Sequence, residues 1–221
     1  MRSFAELHAI AAGRKGGAEA LEALIDRPLS PGAVARIPDD RWLSAMARSL
    51  FEAGFNWKVI EAKWPGFEAA FDGFDLDRVA FYADAELDRL LADKRVVRNG
   101  AKLAAVIGNA LFLKDIRAEH GQAGRFFADW PDTDYVGLLD LLAKRGARMG
   151  GVTGQRMLRR MGRASFILST DVTARLVAEG IVTKTPSSRR DMEAVQAALN
   201  AWMAESGRSL TEISRVLAMS V

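Results

Sequence analysis

Apolar residues recur along most of the chain at the 3.6-residue spacing of an amphipathic helix, and no stretch alternates with period two between turn residues. The predicted fold class is all-α. Short helices are expected over 3–13 and 17–26, on either side of Gly16-Gly17, followed by a Pro-containing connection at Arg27-Pro28-Leu29-Ser30-Pro31-Gly32. Asp39-Asp40 can cap a helix over 40–54 whose stripe of Leu43, Met46, Ala47, Leu50 and Phe51 should be buried, with Gly54 as its stop. Asp, Pro and Gly signals then divide the chain into helices over 56–63, 65–72, 75–82 and 84–92. A longer helix over 99–119 starts at an Asn99 cap and lines up Leu103, Val106, Ile107, Ala110 and Leu111. Thr133-Asp134 opens a helix to residue 144, and a glycine-rich break at Gly146, Gly150, Gly151 and Gly154 leads into a helix over 154–161. Capping-box patterns at Ser188–Asp191 and Ser209–Glu212 predict two closing helices over 189–206 and 210–218.

With 221 residues and 49% hydrophobic side chains, the chain can form one substantial core. One glycine-punctuated domain over 1–221 is therefore expected, with 1–36 as a helical extension and 187–221 as a helical pair packed on the core. No apolar run reaches 18 residues, and Met1-Arg2-Ser3-Phe4-Ala5-Glu6 opens no long apolar segment, so no membrane span or export is expected and the location should be cytoplasmic. The absence of cysteine rules out disulfides and thiolate metal sites, and two distant histidines offer no other metal cluster; neither metal nor cofactor is expected. Nothing in the sequence specifies an oligomer, and a monomer is the default.

Charge matters here through its placement. The net formal charge is only +3, yet residues 141–170 carry no acid and seven bases: Lys144, Arg145, Arg148, Arg156, Arg159, Arg160 and Arg163. A polyanion such as nucleic acid would favour this stretch, the alternative being an ordinary solvated face. Within it, Gly146-Ala147-Arg148-Met149-Gly150-Gly151-Val152-Thr153-Gly154 joins two helices by a tight turn. Glycine lets a backbone come close to a phosphate, and the amides of Gly151, Val152, Thr153 and Gly154 at the start of the second helix lie in the positive field of its dipole. Arg148 and Arg156 would add charge-assisted contacts that position a duplex without reading it. An ordinary glycine C-cap is the competing reading of the same turn.

The turn resembles the helix-hairpin-helix of base-excision glycosylases, with Gly150 in the proline position and Thr153 in that of the last glycine. Two further segments carry a more specific likeness. Phe51-Glu52-Ala53-Gly54-Phe55-Asn56-Trp57, with Phe67, Phe71, Phe74 and Asp75 after it, resembles the glutamine-alanine-glycine-leucine-serine-tryptophan region of the 3-methyladenine DNA glycosylase I family. Val96 to Leu103, continuing through Ile107-Gly108-Asn109-Ala110, is similar to that family's arginine–lysine–isoleucine-glycine-asparagine-alanine helix. The likeness covers residues 40–180. It implies a two-lobed helical fold with a base pocket between the lobes, and a monofunctional glycosylase of base-excision repair that flips an alkylated base such as 3-methyladenine out of double-stranded DNA and hydrolyses its glycosidic bond. Such a base is cationic, so it leaves readily and can be held by stacking on electron-rich rings, each good contact contributing roughly 0.5–2 kcal/mol. Trp57 matches the family's pocket tryptophan; Trp42 and Phe55 are secondary pocket residues, and Trp64 reads as structural.

Three departures bear on chemistry. The family's base-binding glutamate, eight residues before the tryptophan, is replaced by Ser49, and Glu52 is the nearest carboxylate that could serve the base or a water. The family's zinc-binding His and Cys after the hairpin are replaced by Asp171 and Arg175, which implies no metal and suggests an i,i+4 ion pair. Asp171 also stands twenty residues after Gly151, the interval at which many helix-hairpin-helix glycosylases carry a catalytic aspartate. Helix capping, ion pairing and catalysis thus remain open for Asp171. Lys102 reads as a surface or phosphate-contacting group rather than a lyase nucleophile. A non-catalytic binder of damaged or distorted DNA, and a helical protein-interaction module, are the alternative functions.

Overall fold

A computed structural model describes residues 1–221 as an all-α chain. In order, the helices are α1 (Phe4–Lys15), α2 (Ala18–Glu22), α3 (Pro31–Ala35), α4 (Asp39–Glu52), α5 (Trp57–Ala70), α6 (Leu76–Ala80) and α7 (Asp84–Ala92). They continue as α8 (Gly100–His120), α9 (Ala123–Asp129), α10 (Tyr135–Arg145), α11 (Val152–Arg160), α12 (Thr170–Ala178), α13 (Arg189–Ser206) and α14 (Leu210–Met219). Contacts divide the chain into two compact units, the first made of residues 1–29, 130–138 and 162–221, the second of 30–129 and 139–161.

The first unit brings the two ends of the chain together. Ser3 and Glu6 form a capping box at the start of α1, and Ser209 with Glu212 forms another at the start of α14. Ser188 caps α13 through the Asp191 amide alone. The stripes of α1, α13 and α14 bury Phe4, Leu7, Trp202, Leu210 and Ile213 against one another, and Glu205 of α13 accepts from the first amides of α1 at 2.9 Å. Glu22 of α2 holds the Arg208 guanidinium through both oxygens and lies 2.8 Å from His8 Nε2. These partners, Arg208 foremost, pull its carboxyl down to about 2.

A carboxyl acidified by folding stabilises the fold above its unfolded value, and the benefit fades as pH drops through the folded value. The stability gap between wild type and Glu22→Gln should therefore be constant above pH ~5 and close between pH ~4.5 and about 2. Denaturant midpoints across that range check this, and a gap independent of pH would contradict it.

The second unit corrects several sequence expectations. The connection at 27–32 contains the start of α3: Ser30 accepts from the Ala33 amide and Pro31 takes the first helical position, where its missing N–H costs nothing. Pro65 does not divide two helices but lies inside α5. Stacking of Trp64 on Phe67 (5.1 Å) and Phe74 (5.6 Å) ties the segments on either side of it together and offsets the lost backbone bond. Asp39 and Asp40 sit in the first turn of α4 with Pro38 as the cap, and Asp39 instead accepts from the Ala123 amide at 2.9 Å. That bond starts α9, a helix the pattern did not predict, which packs on α3 because Gly124 admits the carbonyls of Val34, Ala35 and Ile37 where a Cβ would collide. Trp42 is fully buried and stacks on Phe127 at 4.3 Å.

Candidate nucleic-acid interface

Residues 146–151 form the turn between α10 and α11, and the second unit fixes that turn from one side chain. Asn109, fully buried on α8, accepts from the Ala147 amide at 2.8 Å and donates to the Ala147 carbonyl at 3.1 Å. A carboxamide pairing with both backbone groups of one residue sets the height and orientation of the turn against α8. The next residue, Arg148, is exposed and held at φ 58°, a left-handed conformation that side chains normally avoid.

Two glycines complete the turn for different reasons. Gly151 caps α11 at φ 59°, ψ −141°, a conformation open essentially to glycine, and offers no side chain to the helix's first amides. Gly154 is buried with its missing Cβ only 2.5 Å from the Met149 carbonyl oxygen, so any side chain there would push the turn away from α11. Around the hairpin Lys144, Arg148 and Arg156 are exposed, while Val152 and Thr153 are half-buried.

The seven bases of 141–170 do not form one surface. Arg145 lies 3.4 Å from Glu119 and 3.6 Å from Asp115, and Arg163, buried in the first unit, is bound to Asp132 and the Trp130 carbonyl. Arg160 turns onto α4, donating to Ser49 Oγ at 3.0 Å and to Glu52 Oε2 at 2.6 Å. The carboxylates they answer lie far off in sequence, so an acid-free run was bound to look more cationic than it is.

The α4–α5 corner holds the other singled-out residues. Ser49 is buried under Arg160. Glu52 has its second oxygen bound by Arg48 Nε at 3.0 Å, so both oxygens face guanidinium groups, an arrangement that favours a tether over a general base. Trp57 begins α5 with 56% of its surface exposed and Lys58 Nζ 5.8 Å from its ring centre, and Phe55 is 40% exposed. Trp57 is therefore no core residue. Trp64, under Arg48, donates to Glu68 at 3.1 Å and is structural.

Lys102 is not on the surface. It is buried on α8 and donates to the Leu50 carbonyl at 2.9 Å and that of Ala53 at 2.5 Å, completing the C-terminus of α4, with the Phe55 ring 4.5 Å from its ammonium. Burial, and secondarily Arg148, lowers its pKa. The lysine thus shapes the corner that presents Phe55 and Trp57.

In the first unit Asp171 is exposed in the opening turn of α12, whose cap is Ser169. Arg175 does not pair with it. The guanidinium is buried and donates to Ser220 Oγ at 2.8 Å, to the Ser220 carbonyl, and to Glu179 Oε1 at 3.3 Å, while Arg2 donates to that same oxygen through its guanidinium and to Oε2 through its amide. A zinc ion does not fit these residues: the chain has no thiolate, and a permanently charged arginine fills the place of a ligand.

Comparison with known proteins agrees with this geometry. Residues 34–149 match the family model described as methyladenine glycosylase. DNA-3-methyladenine glycosylase 1 of Escherichia coli (strain K12) is 34% identical over 59 residues, 27% of this chain; the chain spans about a third, 32%, of that curated relative. A structure of 3-methyladenine DNA glycosylase I in complex with 3-methyladenine superposes with a TM-score of 0.51 at 22% identity, covering 57% of this chain and 80% of that one. The Staphylococcus aureus enzyme of the same name gives 0.51 at 21% identity over 62% of this chain and 80% of that one. These likenesses establish the glycosylase fold.

Proposed function

Because the chain belongs to the methyladenine glycosylase family, we propose that it is a monofunctional DNA glycosylase of base-excision repair, which hydrolyses the glycosidic bond of an alkylated base such as 3-methyladenine flipped from double-stranded DNA. The observation that carries this reading is the hairpin pinned by Asn109, with Gly151 leaving the start of α11 uncapped and Arg148 and Arg156 exposed beside it. Amides at a helix start and two arginines hold phosphates of either strand register without reading bases. The exposed Trp57 ring then receives the extruded base, and flipping costs least at a damaged pair.

Water is the nucleophile. The buried amine of Lys102 is committed to two carbonyls and is not placed to form a Schiff base. Glu52 serves as a tether between α4 and α11, with its two oxygens held by Arg48 and Arg160. Incubation with alkylated duplex should generate abasic sites that break only after hot alkali. Breaks without alkali would mean lyase chemistry, and their complete absence would leave a non-catalytic binder of damaged DNA.

A further inference from the structure

We propose that the loop between α7 and α8 is a second backbone clamp, in which Lys94 and Arg98 take phosphates of the duplex on the far side of the α4–α5 corner from the hairpin. This rests on the glycosylase reading above only for its ligand, double-stranded DNA. The loop is built onto α5. Val96 is buried, and Gly66 of α5 lets the loop close in, since a Cβ there would stand 2.7 Å from the Arg95 carbonyl oxygen. Lys63 of α5 donates to the Lys94 carbonyl at 2.8 Å, and Asn99 donates its amide to the Val97 carbonyl at 2.9 Å and caps α8. Lys94 and Arg98 are exposed on this anchored frame. The corner meets α11 of the hairpin through α4 and meets the loop through α5, so a duplex passing Trp57 can be held on both sides.

Uncompensated charge carries the assignment. Around the corner and along α8 other cations meet carboxylates: Arg41 holds Glu68, Arg48 and Arg160 hold Glu52, Arg117 holds Asp77, and Arg145 lies by Glu119. In the loop Arg95 takes the one acid, Asp93, at 2.7 Å. Lys63, Lys94 and Arg98 pair with no carboxylate, and Glu61, two residues from Lys63, leans to Arg48 at 3.8 Å. The Lys63 ammonium thus serves a neutral carbonyl in a loop that already carries two unpaired cations, and the buried Lys102 adds a third one turn into α8. Like charges gathered without acids weaken the free fold and leave an anion-seeking field at its surface. A duplex answers that field, because each phosphate neutralised by a side chain releases condensed counterions, and a loop anchored beforehand loses little freedom on binding. Such contacts hold the backbone and read no base.

The test uses the full chain and an alkylated duplex. Wild type is compared with the double variant Lys94→Gln, Arg98→Gln and with Arg14→Gln, Lys15→Gln, which removes the same charge from exposed positions on α1. Fluorescence anisotropy over a salt series should show the loop variant losing about two from the slope of log affinity against log salt, and roughly thirtyfold in affinity at ~0.15 M salt. The protein concentration that half-saturates base release should rise by the same factor. Its melting temperature should hold or rise, because repulsion is relieved, whereas residues that merely built the fold would lower it. The α1 variant should bind as wild type does. An unchanged slope in the loop variant, or an equal loss in both variants, removes the clamp and leaves the glycosylase standing. A wild type that binds with the steeper slope yet releases no base overturns the glycosylase reading and spares the clamp, and a wild type that does not bind the duplex overturns both.

Discussion

Asn109→Ala is expected to lower both the stability of the protein and its affinity for duplex DNA. The side chain is fully buried and its two bonds to Ala147 are the polar link from α8 to the turn. Removing them leaves a backbone donor and acceptor without partners, which costs ~2–3 kcal/mol and should bring the melting temperature down by several degrees. The effect on binding is the more telling. A turn no longer held against α8 cannot present Arg148 and the first amides of α11 in one fixed geometry, so affinity should fall roughly tenfold or more, and the salt dependence should lose about one to two phosphate contacts. Fluorescence anisotropy over a salt series measures both. Equal slopes for variant and wild type would mean that the hairpin does not hold the phosphates.

Trp57→Ala should do the opposite, sparing the fold and removing activity. With 56% of the ring exposed, its loss should change stability by no more than ~0.5 kcal/mol. A base stacked on an aromatic ring gains ~1–3 kcal/mol, so release of the alkylated base should slow by about ten- to a hundredfold while duplex affinity stays close to wild type. Paired melting curves and single-turnover rates separate these effects. A large loss of stability would return Trp57 to a packing role, and unchanged release would take it out of the pocket.

Much of the fold could be read along the chain because most helices carry their own signals. The bounds of α7 and α13, the Asn99 cap of α8 and the capping box of α14 all follow from residues within a turn of the helix end. What escaped depends on partners distant in sequence. Helix α9 exists because Asp39 receives its first amide and Gly124 fits beneath the end of α3, and α5 runs through Pro65 because Trp64 bridges it. Five-residue α3 is too short to show a period, though Ser30-Pro31 is a cap followed by a permitted first-turn proline and could have revealed it.

The same division runs through the candidate site. The glycines of the hairpin were legible because backbone geometry there demands them. The Ile107-Gly108-Asn109-Ala110 motif marked Asn109 without disclosing its role, since the residue whose backbone it grips is 38 residues away. Lys102 looked like a surface or phosphate-contacting group until its helix partner came into view, and Arg160 looked like part of a cationic surface for a polyanion until Ser49 and Glu52 appeared beneath it. Charged side chains are ambiguous along a sequence because burial and pairing, which decide whether they bind a ligand or hold the fold, are long-range properties.

The measurement to make first is single-turnover release of free base from alkylated duplex DNA, followed by chromatography, with wild type and Trp57→Ala side by side. Release well above the spontaneous rate in wild type, reduced at least tenfold in the variant, is the predicted result. Salt-sensitive binding to the duplex with no base released would contradict it and leave a protein that recognises damaged DNA without repairing it.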